Sequence, residues 1–206
     1  MRVSGFDRVL LQLKTLILEL ATAVQDLLNE SIHSIETAER REDWRTLDRA
    51  IGNQKSLIIN RIFEIMSLRQ LSDQDVRWLM NSQQIAHELE RISGYACDLA
   101  EISQYLTVRD WPPSVREMIK ALTEMLDDVV AVLQGEAREL QDIEARDDTL
   151  DQGLAYMLQS MRGQPAEDHS CPTVGTDAAL SGVLAFTLER AGDHVVNIAQ
   201  ALRRLE

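Results

Sequence analysis

A chain of 206 residues with 45% hydrophobic and 27% charged side chains suits one large soluble domain or two small ones, with apolar material enough for a substantial core. The formal net charge of −13 argues against a nucleic-acid partner, since phosphates must be met by Lys and Arg, and suits cationic partners or bound metal. Only 9 Gly and 4 Pro offer places to turn, which favours long helices.

The first stretch, Met1 to Val24, lacks the layout and cleavage site of a secretory leader. Asp7, Lys14 and Glu19 interrupt its apolar run too often for a membrane span, so a cytoplasmic protein is expected. Phe6, Val9, Leu10, Leu13, Ile17, Leu20, Val24, Leu27 and Leu28 recur at three and four residues and predict a long first helix to about Ile35. Leu47, Ile51, Ile58, Ile62 and Ile65 predict a second from about Asp43 to Met66. Ser72, with Asp75 three residues on, caps a third from about Asp73 to Val108.

The segment RDWPPSV at 109–115 is the plainest break, because Pro113 cannot continue a helix from upstream but is tolerated in a first turn. Val115, Met118, Ile119, Leu122, Met125, Leu126, Val129 and Leu133 predict a fourth helix, and a fifth is expected from Ala145 to Met161. The loop at 162–175 holds two prolines and two glycines, and Thr176 or Asp177 would cap the sixth helix. Cys97 and Cys171 are too few and too unpatterned for a disulfide framework or a zinc site, so two free thiols are expected.

ELERISGYACDLAE (88–101) and TLERAGDHVVNIAQ (187–200) share Leu-Glu-Arg and an apolar spacing. The expected fold is therefore all-α, two tandem three-helix bundles related by an internal repeat, over residues 1–110 and 111–206. In the second copy Glu189 and Asp193 share a helix face, as do Asp147 and Asp151 on the fifth helix, with Asp148 as a competing register for Asp147. Like charges so placed repel, unless a cation lies between them. Two readings stand side by side: a multivalent cation held by oxygen ligands, or acids that merely complement a helix dipole or line a solvated face.

LERAGDHVVNIAQ resembles the signature of the PhoU family, Leu-Glu-Arg-x-Gly-Asp-His-x-x-Asn-Ile-Ala-Glu, matching at Glu189, Arg190, Gly192, Asp193, His194, Asn197, Ile198 and Ala199 and departing at Gln200. DVRWLMNSQQIAHELERI (75–92) is similar to the corresponding first-half run. The resemblance implies a cytoplasmic, commonly dimeric regulator of phosphate uptake. Such a protein docks on a phosphate transporter ATPase and its sensor histidine kinase, meets the membrane only through those partners, and performs no catalysis. It also implies that the fifth and sixth helices pack antiparallel, bringing Asp147, Asp151, Glu189 and Asp193 together as ligands of a multivalent metal ion (iron, manganese, zinc or magnesium). The first half departs from the pattern: Glu90 persists, but Gly94, Gly52 and Ser56 stand where the other acids should be, so metal is expected in the second repeat alone.

Other residues invite blander readings. His194 suits a hydrogen bond rather than ligation, Arg190 a carboxylate pair, and Asn197 support of the acidic face or a link between helices. Glu30 and His33 form one Glu-x-x-His where a di-iron centre wants two. His169 and Cys171 lack two further zinc ligands. No nucleophile–base pattern, phosphate-cradling loop or arginine-rich pocket is evident in the sequence. The rival readings are a PhoU-like regulator of another transporter, with its metal site partly lost, and a carboxylate-bridged metalloenzyme.

Overall fold

The structure, a computed structural model, describes residues 5–37, 43–68, 70–105, 111–162 and 172–205. Six helices follow in chain order: α1 (Gly5–Thr37), α2 (Trp44–Leu68), α3 (Asp73–Ser103), α4 (Pro113–Leu133), α5 (Leu140–Arg162) and α6 (Pro172–Arg203). The described residues contain no strand and no helix long and apolar enough to cross a membrane.

The ends of the helices follow local chemistry. Ser72 and Asp75 form the expected reciprocal cap on α3, each side chain meeting the other's backbone N–H. Pro112 precedes α4 and Pro113 fills its first turn, where the missing N–H costs nothing. At the end of α4, Gly135 takes a positive φ of 92°. Its N–H donates to Val132 O while Glu136 N–H donates to Ala131 O, so the last carbonyls of the helix are satisfied.

Three expected bounds need correction. α3 ends at Ser103, and its expected continuation to Val108 runs into residues outside those described. α5 begins at Leu140, before Ala145, because Leu140 and Ile143 are already buried and open its apolar stripe. α6 begins at Pro172, so Thr176 and Asp177 lie inside the helix instead of capping it. His169 and Cys171 lie outside the described residues.

Each half packs its own three helices together, and α1 and α3 also pack on α4 and α6 of the other half. Among the described residues α2 and α5 pack on helices of their own half alone, so they form the two outer helices. The two bundles consequently share one continuous core, from Leu13 and Ile17 on α1 through Leu89 and Ile92 on α3 to Leu188 and Val195 on α6. Every large apolar side chain sealed in it contributes about 1.5–3 kcal/mol by leaving water. Alanines such as Ala86, Ala96, Ala185, Ala191 and Ala199 are buried in α3 and α6, where small side chains allow close approach of helices. Polar bonds cross the same boundary, including Gln25 Nε2 to Asp127 Oδ1 at 2.6 Å. Trp44 and Trp111 are buried at helix starts, while Trp78 packs partly buried against the core with the Lys14 ammonium 5.7 Å from its ring centre.

Candidate functional site

The second half builds its acidic site from α5 and α6, which pack directly on one another. Arg146 sets the rotation of α5: its Nη1 lies 2.6 Å from Asp128 Oδ2 and its Nε 3.4 Å from Glu124 Oε2, both on α4. Gly192 sets the separation. A Cβ there would run into Leu150 Cδ1 and come within 3.2 Å of Asp147 Oδ1, so only glycine lets α5 lie this close without a shift. This explains why a glycine, a poor helix former, stands in the middle of α6.

Asp147 and Glu189 are brought together in this contact. Asp147 Oδ1 and Glu189 Oε2 are buried without a hydrogen-bond partner. Burial pushes the Asp147 carboxyl up from 3.8 to about 6, helped in turn by the charges of Asp151, Asp193, Glu189 and Asp148. Burial likewise raises Glu189, with Asp193 and Asp151 adding to the shift and Arg190 opposing it. Asp147 therefore feels the other three expected acids and Asp148, and Glu189 feels Asp193 and Asp151. They do not close on a common point: among the described residues no three His, Cys, Asp or Glu side chains converge as ligands of an ion. Arg190 occupies two of them instead, with Nε 3.7 Å from Glu189 Oε2 and Nη1 3.3 Å from Asp193 Oδ2.

In kind the donor set suits a hard multivalent cation: oxygen only, spread over two packed helices, with Asp147 Oδ1 and Glu189 Oε2 buried and lacking a hydrogen bond. Asp147, Asp151, Glu189 and Asp193 are the residues that would hold it. A bound ion would supply the positive charge that Arg190 now supplies in part.

In the first half the corresponding place is a cleft of about 700 Å³. Gly52 and Gly94 line it, and a Cβ at either would meet nothing within 4 Å. Of the four aligned acids Glu90 alone is kept, with Lys55 Nζ 3.5 Å from its Oε2, while Asp48, Asp98 and Glu101 line the cleft from other positions. Asp48 is engaged by Ser93 Oγ, which donates to its Oδ1 at 2.7 Å.

The remaining signature residues face the seam between the halves. His194 Nδ1 lies 2.6 Å from Glu88 Oε2 on α3, and Asn197 Nδ2 reaches the same oxygen at 3.4 Å. Asn197 therefore links α6 to α3, and His194 makes the expected hydrogen bond. The His194 ring stacks on Tyr95, with centroids 5.5 Å apart and planes inclined by 28°. Glu88 was invisible to sequence reasoning, since alone it looks like any solvated charge on a helix. Nor did the sequence show that two arginines, one from each half, share a cleft here. Arg91 of α3 and Arg190 of α6 line a single polar cleft of about 630 Å³ along this seam.

Comparison with known proteins agrees with this architecture. The PhoU domain matches twice, over residues 17–103 and 115–202. The "Phosphate-specific transport system accessory protein PhoU homolog 1" of Thermotoga maritima is 25% identical, over 98% of this chain and 88% of its own. The crystal structure of PhoU from Pseudomonas aeruginosa superposes with a TM-score of 0.86 at 22% identity, covering 98% of both chains. That of the phosphate transport system regulatory protein PhoU from Streptococcus pneumoniae does so with a TM-score of 0.80 at 20% identity, covering 98% of this chain and 96% of the other. With two matched domains spanning most of its length and a shared six-helix fold, this chain belongs to the PhoU family.

Proposed function

We propose that the protein is a negative regulator of phosphate uptake and phosphate-starvation signalling. It acts without catalysis, by docking on a phosphate transporter ATPase and its sensor histidine kinase on the cytoplasmic side. The observation that carries this reading is the twofold PhoU match together with relatives named as accessory proteins of phosphate-specific transport. A docking role is further supported by apolar side chains left in solvent at matching places of the outer helices. When Glu64-Ile65-Met66 is aligned with Gln159-Ser160-Met161, exposed Phe63 falls opposite exposed Leu158, and Met66 opposite Met161. Isolated exposed apolar residues mean little, but the same pair recurring in both repeats suits partner surfaces. A multivalent metal at Asp147, Asp151, Glu189 and Asp193 and a homodimeric assembly belong to the same proposal.

Deleting the gene should derepress phosphate-starvation promoters in phosphate-rich medium, and a pull-down from such cells should recover the ATPase and the kinase. Unchanged reporter expression would reject the reading. It would favour a PhoU-like regulator of another transporter, an alternative supported by the loss of three acids from the first repeat.

A further inference from the structure

We infer that the seam between α3 and α6 is a binding site for a phosphate dianion, free or carried as a monoester, and that Arg190 couples this site to the acidic cluster beside it. The cleft brings Arg91 and Arg190 together with Tyr95, His194, Asn197 and Asp193. Among the described residues the Arg91 guanidinium pairs with no carboxylate; it lies over Tyr95, with Cζ 5.9 Å from the ring centre. Such a contact uses the face of the guanidinium and leaves its N–H donors available for bidentate recognition of an oxyanion. Glu88 turns its Oε2 to His194 and Asn197 instead, at 2.6 and 3.4 Å. The overall charge of −13 opposes any anion, but at physiological ionic strength distant charges are screened beyond about 8 Å. Groups inside the cleft decide the outcome.

The second arginine is conditional. Arg190 also lines the cleft, yet its Nη1 lies 3.3 Å from Asp193 Oδ2 and its Nε 3.7 Å from Glu189 Oε2. Those two acids are the α6 half of the expected cation site. Anything that neutralises them releases Arg190 to the cleft and removes the repulsion from Asp193. A cation at the acids and a phosphate at the seam therefore favour each other, and by linkage the effect is reciprocal. The choice of phosphate among oxyanions rests on the proposed function, whereas the site itself rests on the arginines.

Calorimetric titration of inorganic phosphate, and separately of glycerol phosphate, into chelator-treated protein tests this. Glu189→Gln/Asp193→Asn mimics neutralisation without metal and should tighten binding roughly tenfold, the worth of one freed charge-assisted hydrogen bond. Adding Arg190→Gln should remove that gain. A general loss of negative charge would instead leave the gain in place, which would overturn the coupling. Arg91→Gln should abolish binding in every background while circular dichroism shows an intact fold. Binding of the ester alone would assign the site to a phosphorylated partner, and of free phosphate to direct sensing. No saturable binding of either, or binding indifferent to Arg91, overturns the site. Phosphate binding in a strain whose deletion leaves starvation promoters unchanged would reject the regulatory reading and keep the cleft.

Discussion

Glu90 and Glu189 hold the same place in two copies of one motif, yet their surroundings have diverged. Around Glu189 the charges of Asp193 and Asp151 are felt, and Glu189 and Asp147 each bury one oxygen without a hydrogen-bond partner. Around Glu90 the acids are replaced by Gly52, Ser56 and Gly94, and an ammonium from the protein's own Lys55 sits 3.5 Å away. The apolar stripes of both halves are intact and merge into one core. The apolar stripe and the acidic cluster are thus separable features of these helices, since the stripe is kept in both halves and the four acids in one.

The largest expected break in this contrast concerns metal. Glu189→Gln/Asp193→Asn should abolish tight metal binding, while Glu90→Gln should leave metal content unchanged. A multivalent cation gives up much of its hydration, and Glu90, already paired with Lys55, replaces too little of it. Elemental analysis of both variants decides the matter; metal surviving the double change would sink the second-repeat assignment.

Next in size is a sign reversal between two helical glycines. Gly192→Ala forces its Cβ into Leu150 Cδ1 and should cost about 1–3 kcal/mol through overpacking. Gly94→Ala meets nothing within 4 Å and should stabilise by about 0.5–1 kcal/mol through helix propensity. Urea unfolding of the two variants checks both signs at once, and a gain at Gly192 would show that α5 yields without strain.

The sequence made α1, α2 and α4 plain, because their apolar residues recur at three and four without competing signals. It hid the start of α5, where Leu140 and Ile143 are embedded in the polar run 134–145 and Gly135 ends the preceding helix. The acid pairs were legible for the same local reason as the stripes, since i and i+4 fix a shared face within one helix. Glu88 and Arg91 were not. Their roles depend on His194 and Arg190, more than ninety residues away in the chain, and no periodicity encodes a contact of that range. Spacing suggested a carboxylate pair for Arg190, but not that it would engage two of the expected ligands at once.

Acidity should distinguish the repeats more gently. In metal-free protein the Asp147 carboxyl binds its proton more tightly when folded, at about 6, than at its ordinary 3.8. The folded state therefore holds more protons in that window, and this group's contribution to stability falls as pH rises from about 4 to about 6. Relative to Asp147→Asn, the metal-free protein should gain thermal stability on acidification through that range. A difference between the two melting temperatures that does not change with pH would mean that the α5–α6 acids are solvated and independent.

The smallest effect tests whether Lys55 stands in for a cation. The alignment that sets Gly52 opposite Asp147 also sets Lys55 opposite Leu150, the residue that fills the space beside Gly192. In the first repeat, a side chain that would otherwise seal the contact brings a charge to the one remaining acid. Lys55 and Glu90 are 23% and 31% exposed, so their attraction is partly screened and pairs of this kind contribute about 0.5–1 kcal/mol. A double-mutant cycle with Lys55→Met and Glu90→Gln should return a coupling of that size, favourable and weakened by salt. Adding a multivalent metal of the kind proposed for the second repeat should leave the coupling unchanged, because the ammonium already satisfies Glu90. A coupling that vanishes when metal is added would mean that the ion displaces Lys55, and the first repeat would then have kept a cation site in spite of its glycines.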